Sequence, residues 1–183
     1  QCGLWTSLTI QKAWIFFSIF WAATCAFAQV NEKPKELENI DILDKLGNKI
    51  PLDLVFKDEL GNDVKLDQYF HKNKPVVLVM AYYECPMLCT FVLNTLSENI
   101  AKIPNWKAGN EFQVLTVSIN PKEKPEMALE KKKNYLSTIG LPADSTSWIF
   151  LTDPYNNSPK LADSIGFKYE YDKKIDQYAH PAV

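Results

Sequence analysis

Arginine is absent from this 183-residue chain, in which all 20 basic residues are lysine. Without a guanidinium fork, bidentate recognition of guanine edges or phosphate is not available. The longest basic run is Lys131-Lys132-Lys133 and the formal net charge is −2, so nucleic acid is a poor candidate partner. The triplet falls in a helical segment and reads as a solvated face. Histidine is scarce, with only His71 and His180, and there are four cysteines. Two of these, Cys2 and Cys25, lie near the N-terminus, and the remaining two cannot form a disulfide framework for a domain of this size. The length suits one domain with an ordinary core and some extra sequence.

Residues 1–28 stand apart from the rest. Lys12 precedes an apolar block over residues 13–27, and Ala26-Phe27-Ala28 supplies the small residues at −3 and −1 that a signal peptidase requires. The expectation is a signal peptide and an exported chain beginning near Gln29, placed in the periplasm or on the outer face of the inner membrane. The block is short for a membrane span, but left uncleaved it would tether the protein to the membrane. Ala22-Ala23-Thr24-Cys25 matches a lipobox poorly, with threonine where glycine or alanine is expected. Cleavage would remove Cys2 and Cys25 and leave only Cys85 and Cys89, with a net charge of −3 once Lys12 is gone. Residues 29–49 are polar, rich in lysine and glutamate, and read as a tether. Residues 50–183 read as the folded domain.

That domain is organised around residues 76–103. An unbroken apolar run, residues 76–83, has the composition of a strand buried on both faces. Pro86 then suits a first helical position, and Leu88, Val92, Leu96, Ile100 and Ile103 mark an inner helical face before Pro104. Cys85 and Cys89 sit at the junction, four residues apart. The free backbone N–H groups and dipole of a helix start favour thiolate there, and Glu84 opposes it. By spacing alone the pair fits an inert core pair as well as a functional one. A strand-to-helix junction, where open α/β sheets bind ligands, favours function: a soft metal ion or dithiol/disulfide exchange.

Alternating Leu52, Leu54 and Phe56, the turn Gly61-Asn62, then Val64 and Leu66 predict a hairpin. Asp67 is expected to cap a short helix over residues 68–70, and His71 in the lysine-rich connection that follows reads as a surface residue. Residues 112–119 predict a second buried strand, parallel to the first because a helix intervenes. A helix over residues 126–138, a strand over 148–151 and a helix from Ser158-Pro159 to Ile165, closed by Gly166, follow. Asp153 reads as a turn former before Pro154. Residues 167–171 alternate aromatic and polar side chains, as in an exposed edge strand or flap, and Tyr178-Ala179-His180-Pro181 comes last.

The run AYYECPMLCTFVLNTL, together with YAHPAV, resembles the SCO1/SenC family of copper-handling, thioredoxin-like proteins over residues 50–183 in order and spacing. The resemblance implies a thioredoxin-like α/β fold, a central mixed sheet flanked by helices. It also implies that His180 approaches Cys85 and Cys89 to complete a metal site, and that Pro181 falls near the proline facing the active site of such folds. Relatives carry aspartate where this chain has Asn120. They also continue past the histidine with further strands and a closing helix, so the domain is expected to be truncated at the C-terminus. Two thiolates and an imidazole suit Cu(I) and also accept Cu(II), whereas structural zinc would need a fourth ligand. The implied function is a copper chaperone, not a turnover enzyme, delivering the ion to the copper-bearing subunit of cytochrome c oxidase at its binuclear centre, with thiol reduction in its assembly as an additional implied role. The alternative is an exported thiol-disulfide oxidoreductase in which Cys85 attacks and Cys89 resolves, although its usual spacing is one residue shorter. A peroxiredoxin-type peroxidase lacks the arginine its site needs.

Overall fold

The computed structural model describes residues 39–70, 73–85 and 88–181. The expected signal peptide, residues 29–38 of the tether, His71, Pro86 and Val183 lie outside these residues. Three strands make the central sheet: β4 (Val76–Ala81), β5 (Gln113–Ser118) and β6 (Trp148–Leu151). They lie in the order β4-β5-β6, all parallel, with Val76 opposite Gln113 and Val114 opposite Trp148. Helix α1 (Leu88–Lys102) connects the first two, and α2 (Pro125–Thr138) the last two. Their β-branched and aromatic strands, separated by helical segments, are the sequence pattern of a βαβ unit.

β5 and β6 are buried almost throughout, and Trp148, Phe150 and Tyr135 stack there, with rings 5.3–6.0 Å apart. The Trp148 indole N–H donates to Thr116 Oγ1 at 2.8 Å, which satisfies the one polar atom this stack would otherwise strand. β4 is different. Only its second half is buried, because Val77 and Leu78 border an apolar groove of about 550 Å³ shared with Phe91, Val92, Leu96 and Phe167.

Helix α1 presents a face one residue away from the expected one. Cys89, Leu93, Ser97 and Ile100 are buried, Leu88, Val92 and Leu96 are half-buried, and Phe91 and Ile103 are exposed. The helix carries two adjacent apolar stripes, and the seating of Cys89 selects between them, because each residue turns the helix by about 100°.

The hairpin forms as β2 (Val55–Lys57) against β3 (Asp63–Lys65), with Leu54, Phe56, Val64 and Leu66 in the core and Gly61 in a left-handed turn at φ 84°. An antiparallel bridge between Lys57 and Thr152 joins it to the end of β6. The short 3₁₀ helix spans Leu66–Tyr69 with Asp67 inside its first turn rather than capping it. Lys132 departs from the solvated reading of the lysine triplet. It is buried on α2 and pairs with the equally buried Glu59 of the hairpin turn. Asp153 is buried and its Oδ2 accepts the Ser158 amide at 2.5 Å, so the turn former also caps α3 (Ser158–Ile165).

Of the stretch read as a tether, Asp41–Ile42 forms β1, antiparallel to β7 (Phe167–Lys168). Gly166, at φ 80°, ends α3 and accepts the Leu43 amide at 2.8 Å. β7 is therefore covered, with Phe167 in the core, where an exposed edge was expected. The chain continues into an antiparallel pair, β8 (Glu170–Asp172) and β9 (Gln177–Ala179), and β9 leads directly to His180. Among the described residues no helix is long and apolar enough to cross a membrane.

Candidate metal centre

The end of β4 and the start of α1 bring Cys85 and Cys89 to the edge of the core, and β9 carries His180 to them. The Sγ atoms and an imidazole nitrogen all lie within 4.8 Å of one another, and both cysteines are buried and reduced. An ion held at about 2.3 Å by three donors in a plane spaces them about 4 Å apart. A contraction of under about 1 Å would close these three side chains on an ion. This group can hold a metal.

Hydrogen bonds fix each donor. The Cys89 amide donates to Cys85 Sγ at 3.3 Å, and the Tyr82 amide donates to Cys89 Sγ at 3.3 Å. Cys89 Sγ lies 3.2 Å from His180 Nε2, while His180 Nδ1 lies 2.9 Å from the Pro181 carbonyl oxygen. A carbonyl only accepts, so Nδ1 carries the proton and Nε2 offers its lone pair to the thiol, or to a metal in its place. Such an outer bond from a ligating imidazole sets its tautomer and orientation. The Tyr82 ring stands edge-on to His180 at 5.8 Å, and Phe167 stacks on the other side at 6.4 Å.

Electrostatics run against the expected thiolate. Burial pushes the Cys89 thiol up to about 12, the Tyr82 amide works the other way, and Cys85 and Glu123 add to the rise. Desolvation thus outweighs the helix start, and at neutral pH Cys89 keeps its proton until something displaces it. Metal binding does so, and releases a proton.

Two residues near the centre carried no signal in the sequence. Glu123 is buried, accepting the Glu84 amide at 2.8 Å and the Ser118 hydroxyl at 2.6 Å, so it clamps the loop that leads into Cys85. Its lysine-rich surroundings, NPKEKP, disguise it as a surface residue. Tyr82 reads as one more core residue of an apolar strand. Asn120 is buried, accepts the Lys122 amide through Oδ1 at 3.0 Å within the loop that carries Glu123, and lines a 210 Å³ cavity beside Tyr82, Glu84 and Tyr178.

No protein-family model and no curated protein matches the sequence. Solved structures do. A proposed electron transfer protein of Aquifex aeolicus VF5 is similar with a TM-score of 0.60 at 26% identity, over 75% of this chain and 75% of that one. The copper-bound ScoI of Arabidopsis thaliana has a TM-score of 0.54 at 19% identity, over 70% and 75% of the two chains. A SCO1/SenC family lipoprotein from Bacillus anthracis str. Ames has a TM-score of 0.55 at 17% identity, over 74% and 76%. At such identities the likeness is one of fold. The chain has the α/β, thioredoxin-like fold of these Sco proteins.

Proposed function

We propose that this protein is a copper-carrying chaperone of the SCO1/SenC type that holds its ion between Cys85, Cys89 and His180. The observation that carries the reading is the convergence of two thiols and one properly oriented imidazole nitrogen at the strand-to-helix junction. Sulfur and imidazole donors in a three-coordinate set suit Cu(I) and tolerate Cu(II). Copper here is cargo. A half-buried imidazole at the end of β9 gives it a route in and out, because one of the three donors can swing away without unfolding the core.

In the proposal the recipient is the copper-bearing subunit of cytochrome c oxidase, and the protein acts after export, on the periplasmic side of the membrane, tethered or free. The runner-up, thiol-disulfide exchange through Cys85 and Cys89, uses the same atoms. What weighs against it is the Cys89 thiol, which burial holds up to about 12 and so keeps slow in resolving a mixed disulfide. A Cu(I) titration against a competing chelator, run beside a disulfide-reductase assay on the same preparation, separates the two. One tightly bound ion per chain with negligible reductase turnover is expected. Turnover without copper retention would make the protein an oxidoreductase.

A further inference from the structure

We infer that the loop joining β5 to α2 sets the distance between the two halves of this centre, with Glu123 holding the cysteine half and its neighbour Lys122 positioning the hairpin that carries His180. The consequence for copper rests on the copper-carrying reading above, whereas the positioning itself is measurable without metal. The loop is tightly wound. The Asn120 amide donates to Ser118 Oγ at 3.0 Å, the Lys122 amide to Asn120 Oδ1 at 3.0 Å, and the Glu123 amide to the Asn120 carbonyl oxygen at 3.2 Å. Successive side chains therefore leave it in opposite directions: Glu123 is buried, whereas 72% of the Lys122 side chain is exposed.

Inward, Glu123 accepts the amide of Glu84, the residue before Cys85, at 2.8 Å. Outward, Lys122 Nζ lies 3.7 Å from Asp176 Oδ1 and 5.4 Å from the centre of the Tyr171 ring. Tyr171 stands on β8 and Asp176 in the turn that leads into β9, and the Tyr171 hydroxyl donates to that same Asp176 oxygen. The hairpin's other hold is aromatic, with the Tyr178 ring 5.1 Å from Tyr171 and 5.7 Å from Tyr82. His180 follows β9 directly, so wherever the hairpin lies the imidazole lies too. The 210 Å³ cavity beside Tyr82 sits at this junction, lined by Asn120 and Lys122 from the loop, Glu84 from the cysteine side, and Asp176 and Tyr178 from the hairpin. The hairpin is thus not packed solidly against the loop, and these few contacts set its place.

An exposed ion pair and an exposed cation–π contact are each worth at most about fivefold in an equilibrium constant. Together they bias the hairpin towards the cysteines without locking it, which suits a carrier that must release its cargo. Lys122→Met removes the charge from an exposed position, so the variant is expected to fold, by circular dichroism. Its Cu(I) affinity, measured against a competing chelator, should fall about threefold to tenfold. In the His180→Ala background the same substitution should change affinity by less than about twofold, because Lys122 acts through the histidine. Equal losses in the two backgrounds would overturn the inference, as would no loss in the parent. Asp176→Asn removes the counter-charge and keeps a residue type that tolerates the φ of 53° there, and should reproduce part of the loss. Lys122→Arg keeps a cation over the ring and should retain the parent's affinity.

A metal-free readout keeps this inference apart from the copper reading. In the copper-free protein the Tyr82 and His180 rings, edge-on with centroids 5.8 Å apart, should give a ring-to-ring NOE. Lys122→Met should weaken it and Lys122→Arg should preserve it. A weakened NOE in a protein that binds no copper would support the positioning role while defeating the copper reading. An NOE as strong in Lys122→Met as in the parent would defeat the positioning role whatever the copper result.

Discussion

His180 is held by one outer bond and two aromatic neighbours, and offers a single nitrogen to the two sulfurs. Replacing it by alanine leaves two thiols, enough to retain Cu(I) but not to hold it as tightly. Cu(I) affinity of His180→Ala should fall at least about tenfold, the lower end of what even outer partners of a metal site contribute; equal affinity in a chelator competition would remove the imidazole from the site. Cys89 gives a second expectation, in pH. Its ordinary thiol value near 9 rises to about 12 on folding, chiefly through burial. The folded chain therefore keeps a proton that the unfolded chain releases as pH climbs from about 9 to about 12, so stability is full below this window and falls across it. Desolvation pushes the half-buried Tyr69 and Tyr169 and the buried Tyr82 upward too, and they act in the same sense. The measurement is accordingly a difference: urea unfolding of the copper-free protein at about pH 8 and about pH 10, compared with Cys89→Ala, which should lose less stability over that interval. Of these residues, Cys85 and Cys89 could be read from chain position alone. His180 was legible only through a family likeness, because nothing in a histidine before a proline says which part of the fold it will reach.

Helix α1 shows what periodicity can and cannot fix. Apolar residues at Leu88, Val92 and Leu96 and at Cys89, Leu93 and Ile100 trace two stripes about 100° apart, so the pattern dictates a helix but leaves its rotation open. Rotation is decided by a tertiary contact, the Tyr82 amide on Cys89 Sγ, which no local signal encodes. The consequence is measurable. Leu93 is fully enclosed and Phe91 is exposed, although either could have been the core residue by composition. Leu93→Ala should cost about 2–5 kcal/mol of stability, as for other buried leucines. Phe91→Ala should stay within about 0.5 kcal/mol, as for a surface position. The reverse order in denaturant melts would mean that the helix is not seated by Cys89 and Leu93. Strands β5 and β6 were easier to read, because a strand buried on both faces has no rotation to choose.

At the scale of the whole molecule, the hairpin is fastened to α2 by an ion pair out of contact with water. Lys132 Nζ and Glu59 Oε1 are paired with both side chains over nine-tenths buried, and Glu59 Oε2 has no partner in the structure. The sequence hides this link, since a lysine triplet on a helix looks solvated from every local measure. Burial of two charges is expensive, and their mutual attraction offsets that cost only while both are present. Glu59→Gln leaves a lysine ammonium enclosed without a counter-charge and should destabilise the fold by about 3–5 kcal/mol. Replacing the pair together, Glu59→Leu with Lys132→Met, removes both desolvation costs and should restore most of that loss or exceed the parent. Neither Glu59 nor Lys132 is one of the three donors of the metal centre, so the doubly substituted protein should bind copper with the parent's affinity. If Glu59→Gln melted at the parent's denaturant midpoint, the pair would be solvated and the hairpin held by its core residues Leu54, Phe56, Val64 and Leu66 and its bridge to Thr152. If the double variant recovered stability but lost copper, the hairpin's attachment to α2 would be coupled through β6 to the loop that presents Cys85.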